Sequence, residues 1–343
     1  MLEKPNLPDE AIIACLRTAY TLSIVGIEFL PIGNDSNAWV YRAHAENGES
    51  YFLKVRKGAV NQASLVVPRY LKDRGIEQVI APIPTSTGQL WQPLQDFALI
   101  LYPFIEGRAV IEVGMSGAHW VELGSVLKRI HASPLSPELA ELMRKETFSP
   151  KWRESVREIT ARLGKAQEFE NPFAKELALL WKENAEKIIG LVDRTDALAR
   201  QLQAQSTEFV LCHADIHTAN ILLDQNDRIF IVDWDETVLA PKERDLMYMT
   251  IATGAIAVGA EARKLFFQAY GDREIDQLML AYYRHEWVVQ DIAEFAKDVL
   301  GRDDFGDKTK QDSLHWLVRI LQPDSLVGAI DTGVDTQIGQ RRA

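Results

Sequence analysis

The densest run of reactive side chains is His213-Ala214-Asp215-Ile216-His217-Thr218-Ala219-Asn220, followed after an apolar stretch by Asp233-Trp234-Asp235. Phosphoryl transfer to a hydroxyl needs an acceptor held in line, a metal bridging the phosphates and fixed positive charge. A loop aspartate, Asp215, can orient the hydroxyl and take its proton. Asn220, five residues on, can bind Mg2+ through its amide oxygen. Asp233, at the end of the next hairpin, supplies the carboxylate that Mg2+ prefers. Upstream, Lys54 falls on a strand from which its ammonium can reach phosphate oxygens, and Gly33-Asn34-Asp35-Ser36 joins two strands as a backbone-lined phosphate loop.

Plainer readings stand beside these. A strand lysine such as Lys54 is usually a solvated charge, and Gly33-Asn34-Asp35 is of the composition common in turns. His213, Asp215 and His217 also have the makeup of a zinc ligand set. That reading leaves Asn220 and Lys54 without a role. His213 reads better as a histidine bracing the backbone than as a proton carrier. Asp235 and Glu236, just past the metal carboxylate, are candidate contacts for an amine-bearing substrate. Glu286, Asp291 and Glu294 fall near one side of a helix, as a pocket for such an amine or as a solvated acidic face.

These groups need a scaffold. Residues 24–31 and 37–44 read as strands, Asn47-Gly48 is a strong hairpin signal, and 51–55 is the return strand carrying Lys54. A helix over 61–74 is interrupted by Pro68, and a second hairpin joins 89–93 to 97–102. Beyond residue 105 the pattern turns helical: Trp120, Leu123, Leu127 and Ile130 recur at three and four. Asn171-Pro172 opens a long helix towards 203, and short strands at 209–212, 221–223 and 229–232 carry the reactive loop between them. The chain is again helical from 243 to about 321. The expectation is an α+β fold with a β-rich lobe over 1–104, an α-rich lobe over 105–330 and a loose tail over 331–343.

Composition narrows the function classes. With 47% hydrophobic and 25% charged residues the chain is globular rather than disordered or fibrous. Thirty-eight basic against 49 acidic residues leave a net charge of −11, which argues against nucleic-acid binding and suits a cationic ligand. Two cysteines, Cys15 and Cys212, make no disulfide framework, so a reducing, cytoplasmic setting is expected. No signal peptide or membrane span is read from the sequence.

His213-x-Asp215-x-x-x-x-Asn220 with Ile231-Val232-Asp233-Trp234 resembles the aminoglycoside phosphotransferase branch of the protein-kinase-like fold. Asn37-Ala38 with Tyr41-Arg42-Ala43, Ser149-Pro150-Lys151-Trp152-Arg153-Glu154, Ala240-Pro241-Lys242-Glu243-Arg244-Asp245-Leu246 and Tyr282-Tyr283-Arg284-His285-Glu286 are similar to the spectinomycin phosphotransferase group. The resemblance implies a two-lobed kinase-like fold using ATP, with GTP left open, and Mg2+. It implies that Asp215 is the catalytic base, that Asn220 and Asp233 hold Mg2+, that Lys54 contacts the α- and β-phosphates and that Gly33 to Ser36 cover them. Adenine would lie against the backbone of Leu101, Tyr102, Pro103 and Phe104 between the lobes, and Asp245 would brace the catalytic loop.

The implied acceptor is a small cationic molecule, an aminocyclitol such as spectinomycin, with antibiotic resistance as the role and a monomer or homodimer as the working form. Homoserine, choline, methylthioribose and ketosamine kinases share the fold and motif, and a non-catalytic nucleotide-binding module is a further alternative. Two departures stand out. The family commonly pairs the strand lysine with a helix glutamate, whereas Asn61-Gln62-Ala63-Ser64 offers no carboxylate, so another acid takes the part or Lys54 is less firmly oriented. Asp235 stands where protein kinases carry a glycine.

Overall fold

A computed structural model of the chain describes residues 4–32, 37–165, 169–251, 257–271, 274–301 and 306–322. They fall into two compact units, one drawn from Met1–Arg144, His213–Leu239 and Leu265–Tyr270, the other from Lys145–Cys212, Ala240–Lys264 and Gly271–Ala343. The segment with Asp215 and Asp233 therefore groups with the N-terminal sheet, which a single cut at residue 105 does not reproduce.

In the first unit, α1 (Asp9–Tyr20) packs on an antiparallel sheet of β1 (Ile24–Leu30), β2 (Ala38–Ala45), β3 (Ser50–Lys57), β4 (Gln92–Leu94) and β5 (Phe97–Pro103), in the order β1-β2-β3-β5-β4. The Asn47-Gly48 hairpin forms, with Gly48 at φ 84°, a left-handed conformation that costs glycine little. Helix α1 is additional to the elements expected from the sequence, although its signals are present. Asp9 and Glu10 suit the positive end of the helix dipole, and Ile12, Leu16 and Tyr20 are buried one turn apart.

Strand alternation divides the sheet's side chains. Leu53, Val55, Leu99 and Leu101 join the core with Ile12 and Leu16, each side chain worth roughly 1.5–3 kcal/mol in buried apolar surface. The intervening residues Phe52, Lys54 and Tyr102 are left for the opposite face.

The same unit contains α2 (Ala63–Asp73), whose interior Pro68 forgoes one helix hydrogen bond, and the helix Gly117–His131. Ser116 and His119 cap the latter reciprocally, and Trp120, Leu123, Leu127 and Ile130 are buried along it. The hairpin Ile221–Asp224 and Ile229–Ile231 pairs with the strand Gly107–Ala109. Ile231 also bridges Val79 in parallel, tying this hairpin to the chain just beyond α2.

The second unit is mainly helical, built on Lys151–Gly164, Pro172–Gln203, Gln277–Gly301 and Asp307–Ile320. Asn171 accepts from the Phe173 amide at 2.9 Å and Pro172 occupies the first helical position, as their order in the sequence predicts. Arg153, 2% exposed, holds this unit together by donating to Asp196 (2.6 Å), Glu286 (2.5 Å) and the Phe148 carbonyl (3.0 Å). Among the described residues no helix is long and apolar enough to cross a membrane.

Candidate active site

The loop after His213 is held by its own side chains. The His213 imidazole, fully buried, donates from Nε2 to the Val232 carbonyl at 2.9 Å and accepts at Nδ1 from the Asp215 amide at 3.2 Å. Since the carbonyl can only accept and the amide only donate, these two bonds set the neutral tautomer. Neither nitrogen keeps a lone pair for a metal, so the zinc ligand set loses its first member. Trp234 lies 4.6 Å from the His213 ring, centroid to centroid.

His217 is built in a similar way. Its Nδ1 accepts from the Ala219 amide at 3.2 Å, which leaves the Nε2 proton facing Asp215 Oδ1 at 3.4 Å. On the other side, Asn220 Nδ2 donates to Asp215 Oδ2 at 2.8 Å and to its carbonyl at 2.9 Å. Asp215 is thus gripped from two directions. The contribution of His217 was not legible in the sequence, because it depends on the short helical turn Thr218–Asn220 that brings the ring back.

Ala214 and Asp233 both adopt positive φ, 69° and 62°. This conformation costs an L-residue roughly 1–2 kcal/mol, a strain tolerated where it aims a functional group. The Val232 amide donates to the Asn220 carbonyl at 3.1 Å, which places Asp233 beside Asn220.

Both residues line a cavity of about 530 Å³ shared with Val40, Phe52, Lys54, Tyr102, Pro103, Phe104, Leu222 and Asp235. That size and apolar lining suit a nucleotide-sized ligand. Phe104 is held under the Arg42 guanidinium, 4.3 Å from its ring, and Arg42 is itself paired with Glu106.

Lys54 Nζ lies 2.7 Å from Asp235 Oδ2 and 3.9 Å from Asp233 Oδ1. Burial disfavours its ammonium, but the two carboxylates outweigh burial and raise its pKa. Asp233 is pushed up by desolvation, with Lys54 opposing and the carboxylates of Asp235 and Asp215 adding to the rise. Three acids around one spot make an excess of negative charge that a divalent cation relieves. The donors available there, the Asp233 carboxylate and the Asn220 amide oxygen left by its donating nitrogen, are hard oxygens of the kind Mg2+ takes.

Residues 28–282 match the phosphotransferase enzyme family. The chain belongs to that family. This phosphotransferase is similar over its length to spectinomycin phosphotransferase. The crystal structure of that enzyme with ADP and spectinomycin is 32% identical, covers 96% of this chain and 100% of that one, and superposes with a TM-score of 0.89. Its AMP-bound complex gives 31% identity, 95% and 98% coverage and a TM-score of 0.84. The protein StrN of Streptomyces griseus is 23% identical over 292 residues, 80% of each chain. The two-lobed α+β kinase-like fold expected from the motifs is therefore the fold of the phosphotransferase. The family is one of enzymes, which speaks against a non-catalytic nucleotide-binding module.

Gly33, Asn34, Asp35 and Ser36 lie outside the described residues. Tyr102, Pro103 and Phe104 line the cavity of the phosphotransferase, but Leu101 turns into the core and its carbonyl already accepts from the Ile83 amide at 2.7 Å. Asp235 spends its carboxylate on Lys54 and on Arg56 (3.2 Å). Glu236 pairs with Arg144 at 2.9 Å.

In the second unit Glu286 is buried on Arg153, with Asp291 half-buried further along the same helix. Asp245 is fully buried. The acids proposed for an amine-bearing substrate thus include three that are already paired with this chain's own basic side chains. Cys212 lies buried, with its thiol donating to the Ala240 and Pro241 carbonyls, in keeping with packing rather than nucleophilic chemistry.

Proposed function

We propose that this phosphotransferase moves the γ-phosphoryl group of ATP to a hydroxyl of a small aminated molecule, an aminocyclitol such as spectinomycin. The observation that carries the reading is the convergence, on one cavity, of Lys54 with Asp233 and Asn220, the latter bonded to Asp215. Likeness to an enzyme crystallised with ADP and spectinomycin supports the nucleotide and the acceptor class.

In this reading Asp215, fixed by Asn220 and His217, accepts the hydroxyl proton and aligns the attacking oxygen with the phosphorus. Lys54 sets its charge against the phosphate oxygens, and Tyr102, Pro103 and Phe104 border the base. Asn220 and Asp233 would hold Mg2+, which when bound neutralises charge on the phosphates. Most of the rate enhancement then comes from positioning and preorganised charge rather than covalent chemistry.

An ADP-release screen over aminocyclitols, aminoglycosides, homoserine, choline and methylthioribose, with ATP and GTP as alternative donors, tests the proposal. Turnover with spectinomycin and ATP is the expected result. Turnover on homoserine, choline or methylthioribose alone keeps the chemistry and overturns the acceptor, and ADP release with no acceptor in the series overturns both.

A further inference from the structure

The strand lysine of this fold needs a counter-charge to hold its long side chain, and α2 has none to offer at its start. The one acid of α2 is Asp73, its last residue, which is paired with Arg69 in the same helix. The first turn, Ala63 onward, has no acid.

Asp235 lies in the position the sequence left open. Its Oδ2 is 2.7 Å from Lys54 Nζ, against 3.9 Å for the nearest Asp233 oxygen, and the Lys54 side chain is 15% exposed. Arg56, two residues along β3 and so on the same sheet face, reaches the same oxygen at 3.2 Å. The backbone is anchored as well. Asn61 Nδ2 donates to the Asp235 carbonyl at 3.2 Å while Asn61 Oδ1 accepts from the Ala63 amide at 3.2 Å. The start of α2 therefore grips the residue that carries the charge, instead of supplying the charge itself.

We infer that Asp235 is the positioning residue of Lys54, a carboxylate from the metal-binding strand end that stands in for the absent helix acid and holds the ammonium where nucleotide phosphates pass. The inference rests on the proposed nucleotide reading of the cavity. It leaves Asp233 with only the longer contact to Lys54, 3.9 Å, so that its carboxylate can turn to the cation, and it explains why an aspartate occupies the place after Asp233-Trp234. Asp235 is then a determinant of nucleotide binding rather than a contact for the acceptor's amine.

The test is a double-mutant cycle read by calorimetry with ADP and with adenosine, on the wild-type chain, Asp235→Asn, Asp235→Glu, Lys54→Met and Lys54→Met/Asp235→Asn. Expected is a loss of about tenfold in ADP affinity for Asp235→Asn, within the range of one charge-assisted hydrogen bond, with adenosine affinity unchanged and partial recovery in Asp235→Glu. In the Lys54→Met background the Asp235→Asn change should add nothing. A loss of adenosine binding equal to that of ADP would show a merely structural role and overturn the inference. So would an Asp235→Asn effect that persists without Lys54, or ADP affinity that Asp235→Asn leaves intact. In each of these cases wild-type ADP binding still stands, and the functional reading with it. Wild-type protein that binds neither ligand overturns both.

Discussion

Replacing Asp215 by asparagine is the most direct probe of the site, because the structure predicts two separate effects. The carboxylate accepts from Asn220 Nδ2 at 2.8 Å and faces the His217 Nε2 proton at 3.4 Å. An asparagine can turn its amide either way, but one orientation sets its NH2 against the Asn220 donor and the other against the His217 donor. One accepting contact is lost in both. The side chain is 31% exposed, so water takes up part of the loss, and the stability cost belongs near the low end, about 1 kcal/mol.

The catalytic cost is larger. Loss of a positioned general base slows a reaction by about 10²–10⁴-fold, roughly 3–5 kcal/mol in the barrier. Asp215 does not itself line the cavity, so the dissociation constant for ADP should stay within about twofold, below the roughly 1 kcal/mol of a lost hydrogen bond. Stopped ADP-release kinetics give kcat, calorimetry gives the nucleotide constant, and chemical denaturation gives the stability. A kcat within tenfold of wild type would refute the assignment of Asp215, and a nucleotide constant rising in step with the kcat loss would refute the separation of the two effects.

Lys54→Met should weaken nucleotide binding by about 10–150-fold, equivalent to one charge-assisted hydrogen bond of roughly 1.5–3 kcal/mol, and an unchanged KM for ATP would make the lysine a bystander. Gly124→Ala would bring a Cβ to 2.3 Å from the Phe266 carbonyl oxygen; the expected destabilisation is about 1–3 kcal/mol, read as a lower denaturation midpoint, and an unaltered midpoint would mean that the helix Gly117–His131 does not approach the Phe266 backbone so closely. Glu286 is pushed up to about 7 by burial, with Arg153 opposing. Because the folded form then holds its proton more tightly than the unfolded chain, stability should fall as pH rises from about 4.5 to about 7, by about 3 kcal/mol at most. Glu286→Gln should flatten that slope in pH-dependent denaturation curves, and a slope equal to wild type would remove Glu286 as its source.

Much of the scaffold was legible because its signals are local. Asn47-Gly48 marked its hairpin through the backbone freedom that glycine needs at φ 84°, and Asn171-Pro172 marked the start of the long helix through capping and a preset φ. The signals of helix α1 are weaker, since its buried stripe is only Ile12, Leu16 and Tyr20. Within the reactive loop, residue types five apart were enough to suggest that Asp215 and Asn220 act together, since a single tight turn joins them. Strand alternation likewise put Lys54 opposite the core positions Leu53 and Val55.

Partner choice among charges was not legible in this way. By sequence Asp235 and Glu236 are neighbours of the metal carboxylate, and Glu286 is one acid among several on a helix face. Folding assigned Asp235 to Lys54 across 181 residues, Glu236 to Arg144 across 92 and Glu286 to Arg153 across 133. A carboxylate attracts any cation brought within a few ångströms, and its strength falls with distance and exposure to water rather than with separation along the chain. The amino-acid order therefore determined the strands, turns and reactive types of this phosphotransferase. The tertiary structure alone decided which acids remain available for ligands and which are spent on the protein's own cations.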